Sequence, residues 1–200
     1  MSDTKLFKRN VYGITGLKNR GKTTLVSKLV SQFSAWNFSV STLKHASQTY
    51  DSDKEFTDSW RHRKAGAQEV IVASDRRWTL HHENKEDTPA SLEMLLEHLS
   101  PSDIILFEGW KDSHQPKLEV YRGDSQTASI HDSSVKPMLL VESKPNIRAI
   151  ATDTPLTVPV PTFDLNDSEG IARFILNELG LLEEFSEKIA IQNAASSKQE

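Results

Sequence analysis

The stretch from Asn10 to Phe33 reads NVYGITGLKNRGKTTLVSKLVSQF, and it decides the fold. Its first part, Asn10 to Thr15, predicts a short buried strand that runs straight into a glycine loop. From Lys22 onward apolar residues recur at helical spacing, which predicts an amphipathic helix: Leu25, Val26, Leu29, Val30 and Phe33. A strand, a glycine loop and a helix in succession are typical of an α/β domain.

The glycine loop has the spacing of a phosphate-binding P-loop, Gly16-x4-Gly21-Lys22-Thr23. Its glycines let successive backbone amides converge on phosphate oxygens, and the positive end of the following helix strengthens that field. We expect Lys22 to reach the β- and γ-phosphates and the Thr23 hydroxyl to ligate Mg²⁺. The sequence therefore predicts that a nucleoside triphosphate and magnesium bind at Gly16, Leu17, Lys18, Asn19, Arg20, Gly21, Lys22, Thr23 and Thr24. The polar interior of the loop either adds charge near the phosphates or faces solvent or a partner.

Further strands and helices alternate along the chain. The predicted strands are Phe38 to Leu43, Glu69 to Ala73, Asp103 to Phe107, Lys117 to Tyr121 (half-exposed), Met138 to Val141 and Ile147 to Ala151. One helix is predicted to start at Thr88-Pro89, and a last one to be capped by Asn166 or Asp167 and to end before Gly180. We predict a P-loop NTPase-like three-layer α/β domain, with a mainly parallel sheet flanked by helices and a small antiparallel strand extension. A single domain is expected over residues 1–183, followed by a disordered tail over 184–200.

Composition restricts the class of protein. The chain has 200 residues, a net charge of −4 and no cysteine. The charge argues against a general nucleic-acid binder, and the missing cysteines exclude disulfides and thiolate chemistry. The polar first ten residues lack the apolar run of a secretory signal, and no stretch is apolar enough to span a membrane. We expect a soluble, cytoplasmic protein that binds neither nucleic acid nor membrane.

Acidic and basic residues follow two of the predicted strands. Ligands of open α/β sheets bind at the carboxyl ends of strands, where Glu108 lies, so we predict Glu108 at the magnesium. Asp103 precedes the apolar run of the same strand and is interpreted as a cap or edge residue. Lys44-His45 also follows a strand, and both a functional and a structural interpretation remain open. His81-His82 is interpreted as a surface pair.

A third polar cluster extends from Asp51 to Ala67. Asp53 could assist the metal, and the basic run Arg61-His62-Arg63-Lys64 could meet an anion. The alternative is that the run is only the solvated face of a helix.

Several motifs together, in this order, resemble the MobB family of molybdopterin-guanine dinucleotide biosynthesis adapter proteins. They are the P-loop, Lys44-His45-Ala46, Asp53-Lys54, Asp58-Ser59-Trp60-Arg61-x-Arg63-x-Ala65-Gly66-Ala67, Phe107-Glu108-Gly109-Trp110-Lys111 and Pro116-Lys117-Leu118-Glu119-Val120-Tyr121-Arg122. The resemblance runs from about Val11 to Asp167. Two features depart from the family pattern: the polar loop interior, and the lack of a glycine between Lys54 and Asp58.

The resemblance implies a homodimer that binds GTP with Mg²⁺ and hydrolyses it weakly at most. It implies partnership with the guanylyltransferase MobA, and contact with molybdopterin or its guanine dinucleotide. By position, Thr23, Asp53 and Glu108 would surround the magnesium. Lys44, His45, Arg61 and Arg63 are candidates for contact with an anionic ligand or cofactor. No catalytic residue is assigned.

Alternatives remain at this point. The same loop would serve a small-molecule kinase in which Arg61 and Arg63 clamp the transferred phosphate, or it could be vestigial in a scaffold. The chain lacks the Asn-Lys-x-Asp motif, so guanine preference rests on the resemblance. Thr152-Asp153 or the segment 164–167 could read the base, although Asn166 and Asp167 could equally cap a helix.

Overall fold

The computed structural model describes residues 9–46, 51, 53–84, 89–123 and 138–197. Contacts divide the chain into two compact units, where we expected one domain. The first comprises Met1–His45 and Leu99–Glu200, and the second comprises Ala46–His98.

The first unit is built on a parallel six-stranded sheet with the order β2-β5-β1-β6-β7-β8. Its strands are β1 (Val11–Thr15), β2 (Val40–Lys44), β5 (Ile104–Glu108), β6 (Lys117–Tyr121), β7 (Ile147–Thr152) and β8 (Thr162–Asp164). Its helices are α1 (Lys22–Ala35), α4 (Ser168–Leu179) and α5 (Leu182–Ser196). The second unit contains α2 (Asp58–Lys64), α3 (Leu92–Glu97) and the antiparallel pair β3 (Glu69–Ala73) and β4 (Trp78–His82). The predicted fold class is confirmed.

The core lies where α1 and α4 cover one face of the sheet. Leu25, Leu29 and Phe33 of α1 are buried there, as the helical spacing predicts. Tyr12 and Ile14 of β1 belong to the same cluster, since alternate residues of a strand face one side. Each of the apolar side chains among them contributes about 1.5–3 kcal/mol through burial. This packing fixes the direction in which β1 delivers the chain into the glycine loop.

Strand β6 was predicted to be half-exposed, and this is wrong. It lies between β1 and β7, so four of its five residues are buried, including Lys117 and Glu119. The Lys117 ammonium donates hydrogen bonds to the carbonyl oxygens of Ser113 and Gln115, and burial lowers its pKa to about 8. Burial raises the pKa of Glu119.

The segment Met138 to Val141 was predicted to be a strand, and it is a turn of 3-10 helix at Leu140–Glu142. The Glu119 carboxylate accepts hydrogen bonds from the backbone N–H groups of Leu140 and Val141, at 2.8 and 3.0 Å. These hydrogen bonds to a residue of β6 stabilise the first turn of the helix. The apolar run in the sequence gives no sign of that remote partner.

Two predictions about helices also fail. Residues 184–196 form most of α5 instead of a disordered tail, because Phe185 packs against Trp36 with ring centroids 4.6 Å apart. Lys188 adds a hydrogen bond to the carbonyl oxygen of Asn37. Helix α3 begins after Pro89, with the Ser91 hydroxyl as its cap, accepting from Met94 N–H at 3.1 Å. Thr88 lies outside the described residues.

At the last predicted helix, the Asp167 carboxylate caps α4 by accepting from the Gly170 N–H at 2.8 Å. Gly180 ends the helix in the left-handed conformation, as expected. Within the described part of the chain, no helix is long and apolar enough to cross a membrane.

Candidate functional site

The glycine loop connects β1 to α1 at the carboxyl edge of the sheet. Gly16 and Gly21 have φ values of 135° and 94°, a region that favours glycine. A Cβ at Gly16 would lie 2.3 Å from the carbonyl oxygen of Val120, so close approach to β6 also requires glycine. Gly21 is the N-cap of α1 and brings no capping side chain, so the first-turn N–H groups remain open to a ligand in the loop.

Lys22 is the first residue of α1, and its side chain folds back over the loop. Its ammonium donates a hydrogen bond to the carbonyl oxygen of Leu17 at 2.7 Å. Burial lowers the pKa of Lys22, and the positive charges of Lys111 and Lys44 act in the same direction, while Glu108 opposes them. A phosphate in the loop would therefore meet a concentration of positive charge.

Thr23, Glu108 and Lys44 meet beside the loop, and we call these three residues the Lys44 cluster. Strands β2 and β5 are adjacent and parallel, and their register places Lys44 opposite Glu108. The Thr23 hydroxyl donates to Glu108 Oε2 at 2.9 Å. Lys44 Nζ lies 3.1 Å from Thr23 Oγ1 and 3.6 Å from Glu108 Oε2. The structure thus brings together three residues that sequence reasoning selected separately.

The donor atoms of this cluster fit a magnesium ion. A hydroxyl oxygen and a carboxylate oxygen are hard ligands, and Mg²⁺ usually takes only one or two protein carboxylates beside water and phosphate oxygens. Among the described residues, no group of three or more His, Cys, Asp or Glu forms a denser metal site. The oxygens of Thr23 and Glu108 fit a magnesium ion, and their role as its ligands stays a prediction.

His45 and Gly109 support the cluster from the ends of the two strands. The His45 N–H donates to the Glu108 carbonyl oxygen at 2.8 Å. Gly109 has a φ of 108°, and a Cβ there would lie 2.5 Å from His45 Cβ. The His45 ring packs edge-on against Trp110, with centroids 5.1 Å apart. These contacts fix the position of Glu108 at the end of β5. The predicted contact of His45 with a ligand stays a prediction.

Arg122 was not selected from the sequence, although it ends the motif Pro116 to Arg122. The Arg20 guanidinium donates to the Arg122 carbonyl oxygen at 2.8 Å, and Arg122 Nε donates to the Arg20 carbonyl oxygen at 3.3 Å. Arg122 also lies 3.8 Å from Asp153. The loop interior is therefore tied to the end of β6. The signal for this contact was the position of Arg122 at the carboxyl end of a predicted strand.

The two candidate base-reading segments have internal partners. Asp153 accepts from the Gly123 N–H at 3.0 Å. In the other segment, Asn166 Oδ1 accepts from Lys28 at 3.1 Å, while Asp167 is the helix cap described above. The residue that would read the base stays a prediction.

Asp53, Arg61 and Arg63 belong to the second unit. Arg63 contacts three carboxylates, and we call this group the Arg63 cluster: Asp51 (two bonds of 2.8 Å), Asp53 (3.6 Å) and Glu83 (3.0 Å). The hydrogen bonds to Arg63 hold the pKa of Asp51 far below its usual range. Arg61 is exposed and lies 3.8 Å from Asp58.

Asp53 also accepts hydrogen bonds from the hydroxyls of Ser59 and Thr57, at 2.9 and 3.2 Å. Where the resemblance led us to expect a glycine in this loop, Phe56 takes a φ of 69°. The predicted role of Asp53 at magnesium, and of both arginines at an anion, stay predictions.

A parallel sheet whose first strand leads through a glycine loop into a helix, with a carboxylate at the end of the adjacent strand of the sheet, defines the class of P-loop proteins. Within that class the chain belongs to the MobB family: the family described as molybdopterin guanine dinucleotide synthesis protein B matches residues 11–153. The resemblance drawn from the motifs is confirmed.

Relatives and solved structures agree with this assignment. The chain is 36% identical to a molybdopterin-guanine dinucleotide biosynthesis adapter protein of Haemophilus influenzae over 169 residues, which is 84% of this chain and 88% of that protein. A protein of the same name from Escherichia coli K12 is 35% identical, over 78% of this chain and 85% of its own length. The crystal structure of a MobB homolog from Bacillus stearothermophilus superposes with a TM-score of 0.60 at 26% identity, covering 85% of this chain and 97% of that one.

Proposed function

We propose that this protein is a GTP-binding adapter that assists the formation or handover of molybdopterin guanine dinucleotide. The observation that carries the proposal is the contact of Thr23 with Glu108 beside an uncapped helix start. That arrangement supplies open backbone amides and a lysine for phosphates, and two hard oxygens for magnesium. Family membership and the names of the relatives support the pathway.

In this proposal the nucleotide acts as a signal more than as a substrate. Phosphoryl transfer requires a positioned water and a group that orients it. Glu108 accepts from the Thr23 hydroxyl and lies near Lys44, so we assign its carboxylate to the metal and not to the orientation of an attacking water. We therefore expect slow Mg²⁺-dependent hydrolysis. We further propose that the protein is a cytoplasmic homodimer. In its GTP-bound form it would present its surface to the guanylyltransferase MobA, to molybdopterin or to the dinucleotide.

Calorimetric titration with GTP, ATP and molybdopterin-guanine dinucleotide, with and without Mg²⁺, tests the binding. We expect GTP to bind more tightly than ATP, and Lys22→Ala to weaken GTP binding about ten- to a hundredfold, because it removes a charged hydrogen-bond donor. Lys144→Ala is the matched control, since the ion-pair partner of Lys144 is Asp112 and not a residue of the loop. Unchanged affinity in Lys22→Ala would favour a scaffold with a vestigial loop.

Turnover measurements test the adapter role. GTP hydrolysis is followed for the isolated protein and after addition of MobA, and slow turnover by the isolated protein is expected. Rapid turnover alone would contradict the proposal. Consumption of nucleotide that accelerates with small alcohols or nucleosides would instead favour the kinase, whose phosphate clamp would need Arg63 free of its three carboxylates.

A further inference from the structure

In the Lys44 cluster, an ammonium group contacts both of the oxygens that the proposed function assigns to magnesium. Lys44 Nζ is 3.1 Å from Thr23 Oγ1 and 3.6 Å from Glu108 Oε2, and these two oxygens are themselves 2.9 Å apart. A cation therefore already sits beside the hydroxyl–carboxylate pair. Its presence matters because Glu108 is only 14% exposed and is poorly solvated without a counter-charge.

We propose that Lys44 is a positioning residue that balances Glu108 in the metal-free protein and is exchanged for the divalent cation when the nucleotide arrives with it. This inference rests on the proposed function for the identity of the ligand. It goes further in assigning Lys44 to the cation position, whereas the sequence indicated only a contact with an anion.

The two lysines of the site differ in how easily each leaves its partner. Lys22 donates at 2.7 Å to Leu17 within the loop and is partly buried. The Lys44 side chain is 59% exposed at the end of an edge strand of the sheet, so water can solvate its ammonium when it withdraws. Lys44 is thus the mobile cation, and Lys22 is the fixed one.

Exchange of Lys44 for a metal ion predicts a different effect of mutation than a simple contact between Lys44 and phosphate does. Without metal, Lys44 cancels the charge of Glu108, which would otherwise repel the phosphates. Without Lys44, the uncompensated carboxylate repels metal-free nucleotide but attracts a divalent cation more strongly. Removing the Lys44 charge should therefore change two affinities in opposite directions.

The experiment compares the full-length protein with Lys44→Met, which preserves the length of the side chain and removes its charge. Lys44→Gln is a second variant, and Lys144→Met is the matched control. GTP affinity is measured by calorimetry in EDTA and in Mg²⁺. Binding of Mn²⁺ to the nucleotide-free protein is measured by electron paramagnetic resonance, a readout that requires neither GTP nor activity. Circular dichroism confirms that each variant is folded.

We expect Lys44→Met to lower metal-free GTP affinity at least about fivefold and to raise Mn²⁺ affinity by a similar factor, as is usual for a hydrogen-bonded charge. The control should change neither. Equal loss of GTP affinity with and without Mg²⁺, with unchanged Mn²⁺ binding, would overturn the exchange and leave a simple phosphate contact. If the wild type binds no GTP, the proposed function fails, whereas tighter Mn²⁺ binding by Lys44→Met would still support the exchange.

Discussion

The Lys44 cluster and the Arg63 cluster each place one basic side chain beside carboxylate, yet they differ in the exposure of the basic group and in the number of its acidic partners. Lys44 is 59% exposed and faces one carboxylate. Arg63 is 9% exposed and faces three. An exposed ammonium on a flexible stem is released at little cost, whereas a guanidinium with a forked pair of hydrogen bonds to one carboxylate and two further acidic neighbours is a fixed cross-link. Similar charges are therefore held in two ways, by an exposed contact in the first unit and by a largely buried cross-link in the second.

The largest expected effect is the loss of GTP affinity when Glu108 of the Lys44 cluster loses its charge. Glu108→Gln keeps an acceptor for the Thr23 hydroxyl but removes the charge that would hold magnesium. We expect GTP affinity in Mg²⁺ to fall about ten- to a hundredfold, as for loss of a charged ligand, with no change in the thermal unfolding midpoint. Calorimetry and circular dichroism measure the two quantities. Asp112→Asn, at an exposed ion pair, is the control, and an unchanged affinity in Glu108→Gln would refute the assignment.

The next effect concerns the stability of the second unit. Arg63→Met leaves Asp53, which is 6% exposed, without its counter-charge, so we expect the unfolding midpoint to fall by several degrees and the α2 amides to exchange hydrogen faster. Arg61→Met is the matched control, because Arg61 is exposed beside Asp58. If Arg63→Met instead weakens GTP binding without a loss of stability, the anion contact implied by the family resemblance is correct.

Lys117 differs from both Lys44 and Arg63, because its ammonium donates to carbonyl oxygens and, within the described part of the chain, forms no hydrogen bond to a carboxylate. Burial lowers the pKa of Lys117 to about 8 in the folded protein, from its ordinary value of about 10.5 in the unfolded chain. The unfolded state therefore binds more protons between these values, and the contribution of Lys117 to the free energy of unfolding rises with pH through that window. Urea unfolding of the wild type and Lys117→Met from pH 7 to 10 measures it. A constant difference between the two proteins would contradict the burial effect.

The smallest effect is the response to salt. Raising KCl from about 0.05 to about 0.5 M shortens the screening length severalfold, and exposed charge pairs are screened more than buried ones. The effect of Lys44→Met on metal-free GTP affinity should shrink by about half or more, while the stability loss of Arg63→Met should hardly change. Repeating both measurements across the salt series tests this. Equal salt sensitivity would mean that the clusters are alike.

Local patterns predicted the parts of the fold whose partners are near in sequence. The glycine loop, α1, the Asp167 cap and Gly180 are confirmed because each depends on spacing within one or two turns. The predictions for β6, for residues 138–141 and for the tail failed because their partners are remote. Glu119 meets Leu140 and Val141, and Phe185 meets Trp36, contacts that no periodicity records.

The sequence by itself predicted the glycine loop, because its glycines, lysine and hydroxyl are neighbours along the chain. It also predicted the family, because the motifs occur in series. Only the tertiary structure decided how the selected charges are used. Thr23 meets Glu108 across 85 residues of chain and Lys44 across 21, because parallel strands end at a common edge. It also decided that the Lys44 side chain is 59% exposed beside one carboxylate, while Arg63 is 9% exposed and contacts three. The exposure of a charged side chain and the number of its partners depend on how distant segments pack. They cannot be predicted from the residues next to it in the sequence.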